Sequence, residues 1–403
     1  MKDIPVPDPL STFVLLPEAE KEARGLTWTP REIQQQPETW LGTWRRLQSI
    51  KPSLDQVFGE YGITENAGDP AEVILTGAGT SDYIGRALCS LLQRRWGCNV
   101  RVIASTDLLT DLANAVLPEK RYVLISFSRS GESSEGVAVL SHSLERFPQQ
   151  IRHIVITCNE RGQMAKLAGV FPIVLDDAVN DRGLAMTSSF TNMVIAGQAL
   201  AFHGASGDYE PILNALVRMG RSLLGPAAAL AEQLAKHDDR RVCFLGSGAL
   251  RGVAQECALK VLELNAGRIA TLAESFLGVR HGPLSFLNQE TLVCAFLSGK
   301  ESAQRYELDL LGEIRSKRLA KDLLVVSPST AEEVQSLADH VLALDAPVGF
   351  PDDCRPPVDA IVGQLLALFF AIRNGIRPDT PSAGAISRVV SHVKIYPAES
   401  EKE

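Results

Sequence analysis

No Cys-x-x-Cys pair occurs in this chain, and its seven cysteines follow no metal-ligand spacing. That argues against a disulfide scaffold or a zinc module, and an odd, scattered count is what a reducing compartment produces. The expected location is the cytoplasm. Cys243 and Cys294 fall inside apolar runs that read as strands, where a reduced thiol behaves as a small hydrophobe. A signal core is missing as well: the one apolar run near the N-terminus covers residues 13–16. Nothing elsewhere approaches the roughly 20 apolar residues that cross a bilayer. Positive charge is also scarce. The formal net charge is −8, with no basic block and no helix-turn-helix pattern at either end. Nucleic acid and anionic membrane are therefore not expected as partners. A small anion stays compatible, because a few local donors can hold one phosphate.

What remains is the composition of a globular protein, with 45% hydrophobic and 22% charged residues in 403. Such a length suggests two or three domains and a core that needs no staple. An internal repeat divides it. AEVILTGAG, ending at Gly77 and Gly79, matches RRVCFLGSG, ending at Gly246 and Gly248, at an offset of 169 residues. One ungapped register pairs Val100 with Ile269, Phe127 with Phe296, Glu132 with Glu301 and Asp176 with Asp345. The next helix repeats as Gly197-Gln198 against Gly363-Gln364, three residues out of step. The runs VILTG, YVLISF, HIVIT and PIVLD are short, β-branched and nearly continuous, as strands buried on both faces of a parallel sheet are. Alternating with helices, they predict an α/β fold of two doubly wound, three-layer αβα sandwiches. Ligands of such sheets bind where loops leave the carboxyl ends of the strands. The expected divisions are an N-terminal arm (1–50) packed on the first copy, two repeats (51–212 and 213–380) and a C-terminal tail (381–403). Thr29-Pro30-Arg31-Glu32 has capping-box spacing with proline at the first helical position, so a helix is expected there. The acidic end after Pro397 is expected to be disordered.

The copies differ where a ligand would sit. The first carries Gly77-Ala78-Gly79-Thr80-Ser81 after one strand and Ser126-Phe127-Ser128-Arg129-Ser130-Gly131-Glu132-Ser133 after another. Hydroxyls and backbone N–H groups at helix starts form an anion cradle. The same residues also suit plain turns and N-caps. The second copy has Ala249 and Leu250 for Thr80 and Ser81, Leu297 for Ser128 and Gly299 for Ser130. A dinucleotide site is a weaker reading, since Asp82 replaces the third glycine and no acidic residue follows at the required distance. In the second copy Glu256, Lys260 and Glu263 stand at i, i+4 and i+7 and share one helix face. A solvated stripe of that kind adds only about a few tenths of a kcal/mol. Downstream, His281 lies between Arg280 and Gly282-Pro283 on a glycine-punctuated loop, and histidine suits proton transfer near neutral pH.

The stretches LTGAGTS, SFSRSGES, VITCNE, NDRGLAMTSSFTNM, LGSGALRGVAQECALKVLELNAG and GVRHGP resemble the sugar-isomerase (SIS) family of phosphosugar enzymes. The resemblance covers the chain from about residue 50 as tandem SIS domains. It is strongest to the galactosamine-6-phosphate deaminase/tagatose-6-phosphate ketose-aldose isomerase group, and the layout is similar to the isomerase half of glucosamine-6-phosphate synthase. It implies that Thr80, Ser81, Ser128, Arg129, Ser130 and Ser133 surround a phosphate. It further implies that Glu263 moves a proton between C1 and C2, that His281 assists ring opening, and that Glu256 and Lys260 line or orient the site. In related enzymes the histidine loop comes from the neighbouring subunit, which implies a homodimer or larger assembly. The synthase's glutaminase domain is not expected here, since Lys2 follows Met1 where the synthase has that domain's nucleophilic cysteine. Arg388 or Lys394 stands where its C-terminal lysine would be, and Arg388 is expected to contact substrate. One carboxylate performing this chemistry needs no metal or nicotinamide, and burial that raises its pKa would help it. Two rivals remain: a phosphosugar sensor without catalysis, and an isomerase of a non-amino sugar phosphate.

Overall fold

The computed structural model describes residues 8–63, 70–237, 239–328, 331–390 and 393–396, so the acidic end after Pro397 lies outside the described residues. The chain begins with five helices: α1 (Pro9–Val14), α2 (Glu18–Arg24), α3 (Thr29–Gln34), α4 (Gln36–Ser49) and α5 (Lys51–Tyr61). The first sheet comprises β1 (Glu72–Thr76), β2 (Val100–Val102), β3 (Tyr122–Ser128), β4 (Ile151–Thr157) and β5 (Val170–Val174). Its helices are α6 (Thr80–Trp96), α7 (Ser105–Ala115), α8 (Ser134–Arg146), α9 (Gln163–Lys166) and α10 (Ser188–Ala201). A 30-residue helix, α11 (Ser206–Ala235), joins the two sheets. The expected division at 212/213 falls inside it.

The second sheet repeats the plan with β6 (Arg241–Gly246), β7 (Ala270–Glu274), β8 (Thr291–Phe296), β9 (Asp322–Ser327) and β10 (His340–Ala343). Its helices are α12 (Ala249–Leu264), α13 (Glu301–Ser316), α14 (Glu332–Leu337) and α15 (Pro356–Arg373). Both sheets are parallel, with orders β2-β1-β3-β4-β5 and β7-β6-β8-β9-β10. The two copies are therefore topologically identical. β3 and β8 are buried along their whole lengths, which is why they lack polar alternation.

The turn glycines have a steric reason. A Cβ on Gly77 would collide with Ser81, one on Gly246 with Leu250, and Gly79 and Gly248 both adopt φ +57°. Each turn thus opens its helix directly against the strand end. The two copies also meet reciprocally. Gln198 Nε2 donates to the Cys354 carbonyl at 3.0 Å, while its repeat mate Gln364 donates to the Thr187 carbonyl at 3.3 Å. One core cluster runs through both copies, formed by α6, α10, α12 and α15 between the sheets. The outer faces of the two sheets carry separate clusters under α7–α8 and α13–α14.

Three expectations change. The N-terminal arm does not pack on the first copy alone but bridges both: Gln36 donates to Gln364 Oε1 at 2.7 Å and accepts from Thr191 Oγ1 at 2.8 Å. A helix does start at Thr29, but no capping box closes it. Asp379 caps it instead, accepting from Trp28 N, Thr29 N and Thr29 Oγ1 at 3.1, 2.8 and 2.7 Å. Glu32, the supposed box partner, is buried under the 182–183 backbone, and burial beside Asp181 pushes its pKa up to about 8. Finally, α15 is long and apolar enough to cross a membrane, a run the sequence reading overlooked. It is almost wholly buried in the core here.

Candidate active site

Two adjoining cavities open at the carboxyl ends of the first sheet's strands. The smaller, about 150 Å³, lies between the β1–α6 and β3–α8 turns. Ser81, Ser128, Arg129, Ser130 and Ser133 line it, joined by Arg388 from the C-terminal segment. The larger, about 590 Å³, is bounded by Thr80, Glu263 and Ala266 from one side and by Ile386 and Arg388 from the other. Ala78, Arg129, Met186, Arg388 and Val390 belong to both, so the cavities share a wall.

The smaller cavity has the chemistry of an anion site. Arg129 is almost fully buried, yet among the described residues no carboxylate pairs with it. Its Nη atoms donate to the carbonyls of Arg388 (2.7 Å) and Leu184 (3.3 Å), and its Nε has no partner. Burial lowers its pKa. Arg388 donates to Asn180 Oδ1 at 2.7 Å, and its Nε is also unpartnered. Burial lowers the Arg388 pKa too, and Arg129 and Arg182 add to the effect. A buried guanidinium and a half-buried one on the same cavity, each with an idle N–H, call for a shared anion. Ser128 and Ser130 partly serve the turn itself, their hydroxyls accepting from the N–H groups of Gly131 (3.0 Å) and Glu132 (3.2 Å).

Behind Thr80 lies a buried charge cluster. α12 packs against α6, and the face bearing Glu256, Lys260 and Glu263 meets the start of α6. Lys260 Nζ donates to Thr80 Oγ1 at 2.9 Å, lies 3.5 Å from Glu256 and is ion-paired with Glu263. The face is therefore a largely buried network, and the alternative of a solvated stripe falls away. Burial pushes the Glu256 carboxyl up to about 8, with Lys260 opposing and Glu263 reinforcing. Burial alone would lower the Lys260 pKa, but the two carboxylates outweigh it and the net shift is upward. The Glu263 side chain is 32% exposed and faces the larger cavity, so the expected burial of this carboxylate is incomplete.

The structure thus brings together ten of the eleven residues singled out from sequence. His281 is the exception. It is exposed and lines neither cavity, while Arg280 beside it is held by α13 through Glu313 (2.9 Å) and Asp309 (2.8 Å). Lys394 stacks on Tyr396 instead of entering a cavity, which leaves Arg388 as the C-terminal contributor. Sequence reasoning missed Thr76 and Ser105 and named Ser126 only as part of its loop; all three are hydroxyls on the smaller cavity with no hydrogen-bond partner. Ser126 was legible within SFSRSGES; Ser105 follows β2 with no local signal. The candidate metal ligands among the described residues, His237, Asp239 and Asp322, lie at the amino ends of β6 and β9. Lys321 Nζ, 3.2 Å from Asp239, already supplies positive charge there.

The SIS domain model matches residues 69–202. The D-galactosamine-6-phosphate deaminase AgaS of Escherichia coli is 34% identical over 385 residues, covering 92% of this chain and 96% of that protein. The chain belongs to the SIS-type AgaS family. The AgaS protein of Shewanella sp. (strain ANA-3) is 32% identical over 96% of this chain and 98% of its own. Among solved structures, the tagatose-6-phosphate ketose/aldose isomerase from Escherichia coli superposes with a TM-score of 0.82 at 31% identity. That match covers 93% of this chain and 97% of the other. AgaS relatives are thus enzymes of sugar-phosphate chemistry along their full lengths.

Proposed function

We propose that the protein is a cytoplasmic enzyme that converts galactosamine 6-phosphate to tagatose 6-phosphate and ammonia. The observation that carries this reading is the shared wall between an unsatisfied double-arginine pocket and the cavity faced by Glu263. The sugar's phosphate sits in the smaller cavity on Arg129, Arg388 and the serine hydroxyls, and its C1–C2 end reaches Glu263.

Opening the ring exposes a C1 aldehyde and makes the C2 proton acidic. Glu263 takes that proton as an enolamine forms, and returns it at C1. The product is an imine at C2, which water splits into the ketone and ammonia. Lys260 holds the Glu263 carboxylate in place, and Thr80 links that pair to the phosphate loop. Glu256, with its raised pKa, limits the negative charge that Lys260 must balance. His281 assists ring opening in a neighbouring subunit's site, which makes the working unit a homodimer or larger homo-oligomer.

Incubation with hexosamine and hexose phosphates, measuring both ammonia and ketose, tests the reading. Galactosamine 6-phosphate should yield one ammonia per ketose. Ketose from a non-amino substrate without ammonia would make it a simple isomerase, and binding without either product a sensor. Glu263→Gln should keep phosphosugar binding and lose turnover; a fully active variant removes Glu263 from the mechanism.

A further inference from the structure

The duplication places a third cavity, about 290 Å³, where the second sheet's counterpart of the phosphate pocket would be. Ser247, Phe276, Leu277, Ser302, Ala303, Tyr306 and Glu307 form its wall. At the repeat offset of 169, Ser247 matches Ala78 and Ser302 matches Ser133, both lining residues of the phosphate pocket. The cavity therefore lies at the topological switch between β6 and β8, where open α/β sheets bind ligands.

Its charge is inverted. Glu307 falls where the first copy has Ala138, and it is 1% exposed. Oε2 accepts from Ser298 N at 2.7 Å, but Oε1 has no hydrogen-bond partner. The Ser247 hydroxyl stands close enough to favour the carboxylate without completing a bond to Oε1. Burial still raises the pKa, and Asp352 adds to the rise. The nearest guanidinium cannot serve. Arg355 is committed to Asp359 at 2.9 and 3.1 Å, to the Leu297 carbonyl at 2.7 Å and to Asp352 at 3.2 Å. Among the described residues no lysine, arginine or histidine forms an ion pair with Glu307. A buried carboxylate oxygen left idle at a cavity wall is costly unless something from solvent meets it.

We propose that this second-copy cavity binds a small organic cation with a primary ammonium group, seated on Glu307. The ammonium donates to Oε1 and to the Ser247 and Ser302 hydroxyls. Phe276, Leu277 and Tyr306 cover its carbon skeleton, and the aromatic faces favour the positive charge. An anion is refused by the same carboxylate. The duplication has thus yielded two sites of opposite charge preference, and ligand at the second leaves the phosphosugar cavity free.

Titration calorimetry with ethanolammonium on the full chain tests this, with ethylene glycol as the uncharged comparison. Saturable ethanolammonium binding is expected, at least tenfold weaker in Glu307→Gln and weaker in Tyr306→Ala. The glutamine keeps an acceptor for Ser298 N, and turnover of galactosamine 6-phosphate should be unchanged in both variants. The proposal is overturned by absence of binding to the wild type, by undiminished binding in Glu307→Gln, or by equal binding of ethylene glycol. Displacement of ethanolammonium by tagatose 6-phosphate, which carries no ammonium group, would overturn it too, because the cation would then lie in the first site.

Discussion

Arg129 shows why a site residue can look unfavourable in isolation. Its guanidinium is buried with one N–H unused and no carboxylate beside it, an arrangement that only an incoming anion completes. Arg129→Met should therefore act mainly on binding. A charge-assisted hydrogen bond contributes roughly 1.5–3 kcal/mol, so KM for the phosphosugar should rise about tenfold or more while kcat changes less. Steady-state kinetics decides; an unchanged KM would remove Arg129 from the phosphate. His153 is a different kind of buried residue. Both ring nitrogens lack partners, and burial, helped by Arg152, pushes its pKa from 6.5 to about 4. A depressed histidine stays neutral in the fold while the unfolded chain gains a proton below about 6.5. Its contribution is complete above that pH and is lost as pH falls toward 4, by roughly 3 kcal/mol. Glu32 and Glu256 act in the opposite sense, weakening the fold as pH rises from 4.5 toward 8. The difference in unfolding free energy between wild type and His153→Leu, read from urea titrations, isolates the histidine: it should shift in the variant's favour by that amount between pH 6.5 and 4.

Elements were legible in proportion to how locally they are determined. The glycine turns before α6 and α12 announce themselves because each glycine answers a clash inside five residues of chain. The repeat register carried the alternation of strands and helices in both copies and the asymmetry of the two loops. The cap of α3 was not legible. Thr29 and Glu32 have the right spacing, but Asp379 outcompetes the local arrangement from 350 residues away. Asp379→Ala should thus cost about 1–2 kcal/mol, as loss of a good cap does. The same loss should loosen the C-terminal segment, because the Asp379 carboxylate ties it to Trp28 and Thr29; the backbone bond from Asp379 N–H to the Gly25 carbonyl at 3.0 Å remains. Denaturant unfolding measures the first effect. A raised KM would report the second, since Arg388 sits nine residues further on. The burial of the Glu256–Lys260–Glu263 face was not legible for the same reason: periodicity gives a face, while only the packing of α12 on α6 shows that Glu256 and Lys260 are buried.

At the scale of the whole molecule, two copies of one fold surround a shared helical layer, and each could have offered a site to the other. The mirrored positions show how one was discarded. Against Glu256, Lys260 and Glu263 on α12, the first copy has Ala87, Leu91 and Arg94 on α6, and Ala249 stands for Thr80. Leu91 is core, and Arg94 pairs with Asp353. On the proposed reading one phosphate grip and one proton-moving face survive, and they meet only because the two copies pack reciprocally. His281 is exposed on a loop braced by α13, outside both cavities, so the proposed role in ring opening needs a partner subunit. If a partner subunit supplies it, Glu263→Gln and His281→Asn damage different halves of a shared site. Each variant alone should be inactive. Mixed by co-expression at equal amounts, half of the dimers pair the two lesions, and each such dimer holds one intact site. Recovery of about one quarter of wild-type activity is then expected. If both groups of one site came from the same chain, every site would carry one lesion and the mixture would stay dead.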